Sequence, residues 1–249
     1  MDTDELAMTG QAERPGRDPL GAVADALRPA TLHDFSGQPQ VASQLQVIVT
    51  AALQRRQLAP HLLFSGPPGL GKTTLAAIVA AELSVPLVTT SGPALAKPGD
   101  LAGLLTAVAE PTVIFIDEIH RLDRHIEELL YPALEDGMLD VRLGDGPDAR
   151  MLRVELEPFT LVGTTTQLGL VSDPLRTRFG HLARLTLYDT DQLASIVSRS
   201  AALLGIRLAD GTAHAIATRS RGTPRIANQL LARIRDFAQV HDRDPVDGD

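Results

Sequence analysis

Residues Gly66-Pro67-Pro68-Gly69-Leu70-Gly71-Lys72-Thr73 have the spacing G-x-x-x-x-G-K-[ST], and the chemistry of that pattern is phosphate binding. Its glycines let consecutive backbone N–H groups turn inward around phosphate oxygens. Lys72 brings a point charge to the β and γ phosphates, and Thr73 offers a hydroxyl to magnesium. The bland alternative is a Gly/Pro turn with an incidental lysine. The flanks argue against it: His61-Leu62-Leu63-Phe64 reads as a buried strand and Leu75 to Ala81 as an apolar helix. A helix following such a loop aims its positive end at the anion.

A second constellation lies downstream. Val113-Ile114-Phe115-Ile116-Asp117-Glu118 is an apolar run ending in two acids, which places both at the carboxyl end of a central strand beside the phosphate loop. Asp117 is expected in the magnesium shell, and Glu118 is expected to orient and polarise an attacking water. The competing reading is that both acids cap the next helix. Hydrolysis also needs positive charge on the γ-phosphate, and Leu175-Arg176-Thr177-Arg178 offers two arginines. Thr164-Thr165-Thr166 ends a strand with hydroxyls, although such runs also serve as turns.

These groups need a scaffold. Strand readings at Pro86-Leu87-Val88, Val113 to Ile116 and Phe159 to Gly163 alternate with helical patterns at 45–53, 101–108 and 126–134, which predicts an α/β fold with a parallel sheet covered by helices. Leu139 to Leu143, a Gly/Pro turn at 144–147, and Met151 to Leu156 read as an inserted hairpin, about 139–156. After Leu185-Thr186-Leu187 strands give way to helical segments near 190–204, 210–219 and 223–240, which predict a small all-helical lid. The expected division is an arm at 1–20, an ATPase domain at 21–187 and a lid at 188–249.

Composition narrows the classes. A chain of 249 residues with 44% hydrophobic content can bury a substantial core. The absence of cysteine excludes disulfides and thiol nucleophiles, and the seven histidines show no paired metal-ligand spacing. A net charge of −8 argues against a broad basic face, and with no tryptophan a base-stacking platform is not expected. No apolar run approaches the roughly 18 residues that would span a bilayer, so a cytoplasmic chain without membrane association is expected.

Longer strings resemble the RuvB family, the hexameric AAA+ motors of bacterial Holliday junction branch migration. They are Leu27-Arg28-Pro29, Gly37-Gln38, Gly66 to Leu75, Phe115 to Leu122, Glu127-Glu128-Leu129-Leu130-Tyr131-Pro132, Pro158 to Gly163, Arg178-Phe179-Gly180 and Arg221 to Ala227. The resemblance implies ATP and Mg2+ as ligands, and a function in DNA recombination and repair. It implies that Leu27 and Arg28 border the adenine, with Tyr188 and Glu135-Asp136-Gly137 completing that end. Gly69, Gly71, Lys72, Thr73 and Thr74 match phosphate and magnesium contacts. Thr166 and Arg225 match the first and second sensors. Arg178 matches an arginine finger inserted into a neighbouring subunit of a homo-oligomer, expected to be a hexamer.

The hairpin resembles the surface that binds RuvA, with Met151, Leu152 and Val154 as candidate contacts; packing on its own sheet is the other use of such alternation. The chain departs from the family at Gln167, usually arginine, Thr164, usually alanine, Gly137, usually aromatic, and Ser36, usually apolar. RuvB chains continue into a winged-helix domain that grips duplex DNA, and the sequence here ends before one, so Holliday junction DNA is expected as a partner without that domain's direct grip. Two other readings stand beside the motor: a nucleotide-dependent assembly or regulatory protein without translocation, and a clamp-loader-like ATPase.

Overall fold

The computed structural model describes residues 26–143, 150–241 and 245–246. The expected N-terminal arm and the hairpin turn at 144–147 lie outside these residues. The elements in chain order are α1 (Pro39–Arg55), β1 (Leu62–Ser65), α2 (Lys72–Leu83), β2 (Leu87–Ser91), α3 (Pro98–Thr106), β3 (Thr112–Asp117) and α4 (Arg124–Asp136). They continue with β4 (Met138–Leu143), β5 (Arg150–Glu155), β6 (Phe159–Thr165), α5 (Asp173–Thr177) and β7 (His181–Arg184), then α6 (Thr190–Leu203), α7 (Thr212–Arg219) and α8 (Pro224–Val240).

Five strands form a parallel sheet in the order β2-β3-β6-β1-β7. β1 and β6 are buried along their whole length, as strands with both faces covered must be. Successive side chains point to opposite faces, and the core divides accordingly. Phe64, Phe115 and Val162 pack on one side with Leu75 and Ile78 of α2, whereas Leu63, Ile114 and Leu161 pack on the other with Ile126 and Leu130 of α4. Phe64 and Phe115 are the largest fully buried side chains, and truncating either to alanine removes about 3–5 kcal/mol of stability.

The strand order decides where the chemistry gathers. β3, β6 and β1 are consecutive neighbours, with Ile116 opposite Gly163 and Ser65 opposite Thr165. The phosphate loop after β1, the acids ending β3 and the threonines ending β6 therefore emerge at one edge of the sheet, outside its carboxyl ends.

The helices α6, α7 and α8 form the lid. Asp189 and Gln192 make a reciprocal capping box at the start of α6, and the buried Ser200 hydroxyl donates to Asn228 Oδ1 at 2.9 Å, tying α6 to α8. A lock joins the stretch between β7 and α6 to the residue that starts α1. Gln38 Nε2 donates to Thr186 O at 2.6 Å while Gln38 Oε1 accepts from Thr186 N at 3.2 Å. Beside it a Cβ on Gly37, whose φ is +80, would lie 2.2 Å from the Tyr188 ring, so only glycine fits there.

β4 and β5 form a separate antiparallel pair. Val154 lies opposite Leu139 and Leu152 opposite Val141, so these four share one face while Met151 points to the other. Leu139 is buried and belongs to the core packed against α4, whereas Leu152 and Met151 are exposed. The three apolar contacts expected of the hairpin therefore do not form a single face.

Candidate nucleotide-binding site

The phosphate loop wraps its lysine. Gly66, Gly69 and Gly71 adopt φ values of +145, +82 and +95, conformations that leave the loop amides free to converge. Lys72, at the start of α2, is largely buried and its Nζ donates to Gly66 O at 2.7 Å and Pro67 O at 2.8 Å. Burial lowers its pKa; Asp117 opposes that shift and Arg225 adds to it. Two carbonyls thus hold the ammonium at the mouth of the loop, beside a carboxylate.

A cavity of about 530 Å3 opens over this loop. Gly69, Gly71, Lys72, Thr73 and Thr74 line its floor, and Asp117 and Glu118 line it from the end of β3. Thr166 contributes from beyond β6, Leu27 and Arg28 from the segment before α1, and Tyr188 and Arg225 from the lid side. The sequence-derived phosphate, sensor and metal candidates therefore converge on one space, together with part of the adenine set.

Several of these residues are held by neighbours. Asp117 Oδ1 accepts from the Thr164 hydroxyl and from Glu118 N, the latter at 3.1 Å. Glu118 adopts a left-handed backbone with φ of 50, and its carboxylate pairs with Arg121 at 3.0 Å. Buried Thr165 accepts from Gln167 N at 3.0 Å and meets His120 Nδ1 at 3.0 Å, linking the turn after Glu118 to the end of β6. The Tyr188 hydroxyl donates to Leu70 O at 3.1 Å, and burial pushes the phenol pKa well up, so it stays a neutral donor. Arg225 N lies 3.4 Å from Gly69 O, which brings the first turn of α8 onto the phosphate loop.

Three residues expected beside the adenine are elsewhere. Glu135, Asp136 and Gly137 do not line the cavity with Tyr188. They end α4, where Glu135 pairs with Arg178 at 3.1 Å and Asp136 with Arg153 of the hairpin at 3.4 Å. Gly137 is the left-handed cap of that helix, with φ of 66, a conformation that suits glycine better than the family's aromatic residue. Arg178 also stands outside the cavity, its guanidinium 4.1 Å from the centre of the Tyr131 ring and 2.6 Å from Pro174 O.

Arg199 and Asn228 line the cavity without having been singled out from sequence. Arg199, on α6, donates from Nη2 to Leu27 O at 3.0 Å, a contact between residues far apart in the chain. No local pattern marks it; the distance along the chain hides the pairing.

The donor set fits a nucleotide with a divalent metal. The Thr73 hydroxyl and the Asp117 carboxylate are hard oxygen ligands, too few for an all-protein cage and suited to an ion shared with phosphates. A parallel sheet with this loop, an acidic strand end and a helical lid closing the same cavity defines a P-loop ATPase of the AAA+ class.

Comparison with known proteins sharpens that class. Residues 27–185 match the model of the Holliday junction DNA helicase RuvB P-loop domain, and residues 188–249 match that of the RuvB AAA lid domain. The structure is similar to Thermotoga maritima RuvB described as a Holliday junction branch migration motor, at 45% identity and TM-score 0.80, over 90% of this chain and 70% of that one. Lysine-to-arginine and arginine-to-alanine mutants of the same RuvB match at 45% identity with TM-scores of 0.82 and 0.79, each over 89% of this chain and 70% of theirs. The chain belongs to the RuvB family. That membership sets aside the clamp-loader-like alternative.

Proposed function

We propose that this chain is the ATP-hydrolysing motor subunit that drives branch migration of Holliday junctions in DNA recombination and repair, acting with RuvA. The observation that carries the reading is a cavity lined by the phosphate loop, the acidic strand end and the lid, in a chain with RuvB matches over both domains. The nucleotide is ATP and the metal Mg2+, which draws charge from the phosphate oxygens when bound. The working units are the ATPase domain at 21–187 and the lid at 188–249, in a cytoplasmic protein.

Within the site Lys72 neutralises the β and γ phosphates, Thr73 and Asp117 hold the metal shell, and Gly69, Gly71 and Thr74 contact phosphate. Leu27, Arg28 and Tyr188 enclose the adenine. Glu118 orients and polarises the attacking water and accepts its proton as the water's O–H bond breaks. Thr166 senses the γ-phosphate, and Arg225 reports nucleotide state to the lid through the hinge at 186–188. The position of Arg178 outside its own cavity supports a role in trans, as the arginine finger of a neighbouring subunit in a hexamer. Glu135 and Asp136, beside it at the end of α4, belong to the same outward-facing group. The exposed hairpin residues Met151 and Leu152, with Val154, are the RuvA contacts.

The test is ATP turnover by the chain alone, with duplex or junction DNA, and with RuvA plus DNA, beside Glu118→Gln and Arg178→Ala controls. Turnover stimulated by DNA and RuvA and lost in both variants is expected. Normal steady-state hydrolysis by Arg178→Ala would sink the finger assignment, and ATP binding without stimulated turnover would replace the motor with a nucleotide-dependent assembly protein.

A further inference from the structure

Helix α4 presents Glu127, Tyr131 and Glu135 at successive i, i+4 spacings, which line one helix face. All three engage the short segment that ends in Arg178. Glu127 is only 6% exposed, and its Oε2 accepts from the Ser172 hydroxyl at 2.6 Å and from the Tyr131 hydroxyl at 3.4 Å. Ser172 is itself the N-cap of α5, its Oγ accepting from Leu175 N at 3.3 Å. At the other end of α5 the Arg178 guanidinium lies over the Tyr131 ring, 4.1 Å from its centroid, with Glu135 at 3.1 Å.

A carboxylate with so little exposure is costly to keep in a folded chain unless hydrogen bonds satisfy it. The Glu127 bonds reach both ends of the finger assembly: the cap that starts α5 and the ring beneath the guanidinium. α5 has five residues, too short to hold a direction by its own backbone hydrogen bonds. Its orientation must come from what it docks on, and α4 is that surface.

We propose that Glu127 and Tyr131 are positioning residues for Arg178, setting where its guanidinium projects toward a neighbouring subunit's nucleotide. Glu127 fixes the start of α5 through Ser172 and fixes the tilt of the Tyr131 ring through its hydroxyl. Tyr131 supports the guanidinium face, while Pro174 O accepts from its Nη1 and Glu135 pairs with its Nη2, and together these contacts fix its orientation. This inference rests on the reading of Arg178 as a finger acting in trans.

The experiment mixes subunits. Glu127→Gln, Tyr131→Phe and Tyr131→Leu are each assayed for ATP turnover with RuvA and junction DNA, alone and mixed with Glu118→Gln subunits, which lack hydrolysis but carry an intact finger. Misplacement by about 1 Å lowers turnover on the order of 10²-fold. The expected result is a loss approaching that size in Tyr131→Leu, smaller losses in Glu127→Gln and Tyr131→Phe, and little change in the KM for ATP. Mixing restores turnover, because a normal finger then serves the variant's own intact site.

A merely structural defect would not be repaired by a neighbour. Normal turnover in all three variants, or losses that mixing leaves unrepaired, overturns the proposal. If Tyr131→Leu fails to fold, Glu127→Gln and Tyr131→Phe, which preserve volume, decide by the same criterion. Arg178→Ala runs in parallel: no rescue of it removes the trans reading itself, whereas its rescue without rescue of the α4 variants removes only the role of Glu127 and Tyr131.

Discussion

The Thr164 hydroxyl donates to Asp117 Oδ1, across the boundary between β6 and β3. Thr164 is fully buried, and it is a position where RuvB sequences usually carry alanine. The oxygen it occupies also accepts from Glu118 N, so one oxygen of a carboxylate that lines the cavity is committed to the protein. Thr164→Val keeps the volume and removes the donor. Hydrogen bonds to charged groups are worth about 1.5–3 kcal/mol, so urea unfolding should show a loss in that range, with Thr164→Ser recovering most of it. Equal midpoints for the valine and serine variants would deny the bond any energetic weight.

Lys72 and Glu118 separate binding from chemistry. Lys72 is the cation already held at the loop by two carbonyls, and its charge is what a triphosphate would meet. Lys72→Ala is expected to weaken ATP binding by about 2–5 kcal/mol. Glu118→Gln keeps size and polarity but loses basicity, and should bind ATP normally while turnover falls by about 10²–10⁴. Equilibrium binding of a fluorescent ATP analogue beside steady-state turnover distinguishes the two; a glutamine variant that still turns over normally would remove Glu118 from the chemistry.

The division between what the sequence reveals and what it hides follows from locality. The phosphate loop is legible because eight adjacent residues carry its chemistry, and the buried strands β1, β3 and β6 are legible because continuous apolar runs leave few alternatives. The edge strand β7 is harder: His181-Leu182-Ala183-Arg184 buries only Ala183, and its pairing with β1 is invisible without the fold. Arg199 and Leu27 meet only because the lid folds back over the segment before α1. Only the resemblance puts Glu135 to Gly137 with the adenine, whereas that helix end, paired with Arg178 and Arg153, lies outside the cavity lining. Hexamer geometry, to which those residues belong in the proposal, is a property of several chains and has no trace in one chain's periodicity.

His61 gives stability an acid limit. Its Nδ1 accepts from Leu161 N at 2.9 Å and its Nε2 faces Leu134 O at 3.2 Å, an arrangement that needs the neutral ring protonated on Nε2. Burial lowers its pKa below 6.5, opposed by the Leu134 carbonyl, and burial lowers that of His181 in the same direction. Between the depressed native values and 6.5 the unfolded chain binds protons that the native chain refuses. Stability is therefore full above about pH 6.5 and falls as pH drops through that window toward the native values. Chemical denaturation from pH 7.5 to 5 should show this decline, and His61→Gln, less stable at neutral pH, should show a shallower one. An unchanged slope would assign the decline to other groups.

The hairpin offers two faces, and the docking prediction depends on which one a partner reads. Leu152, 48% exposed, continues the face whose base is Leu139 in the core, so a partner bound there would extend an existing apolar surface. Met151, 66% exposed, stands on the opposite face with Arg153, which is tied to Asp136 and Asp140. An apolar anchor beside a core gains more from burial than one ringed by ion pairs, because the charged rim must be desolvated with it. Leu152→Asp is therefore expected to weaken RuvA binding by at least about tenfold, the cost of losing one anchor residue, and Met151→Asp by less. Calorimetric titration with RuvA measures both, with nucleotide affinity taken in parallel to report on the ATPase domain's fold. The reverse ranking would move the docking face to the Met151 side, and undiminished affinity in both variants would remove the hairpin from the interface.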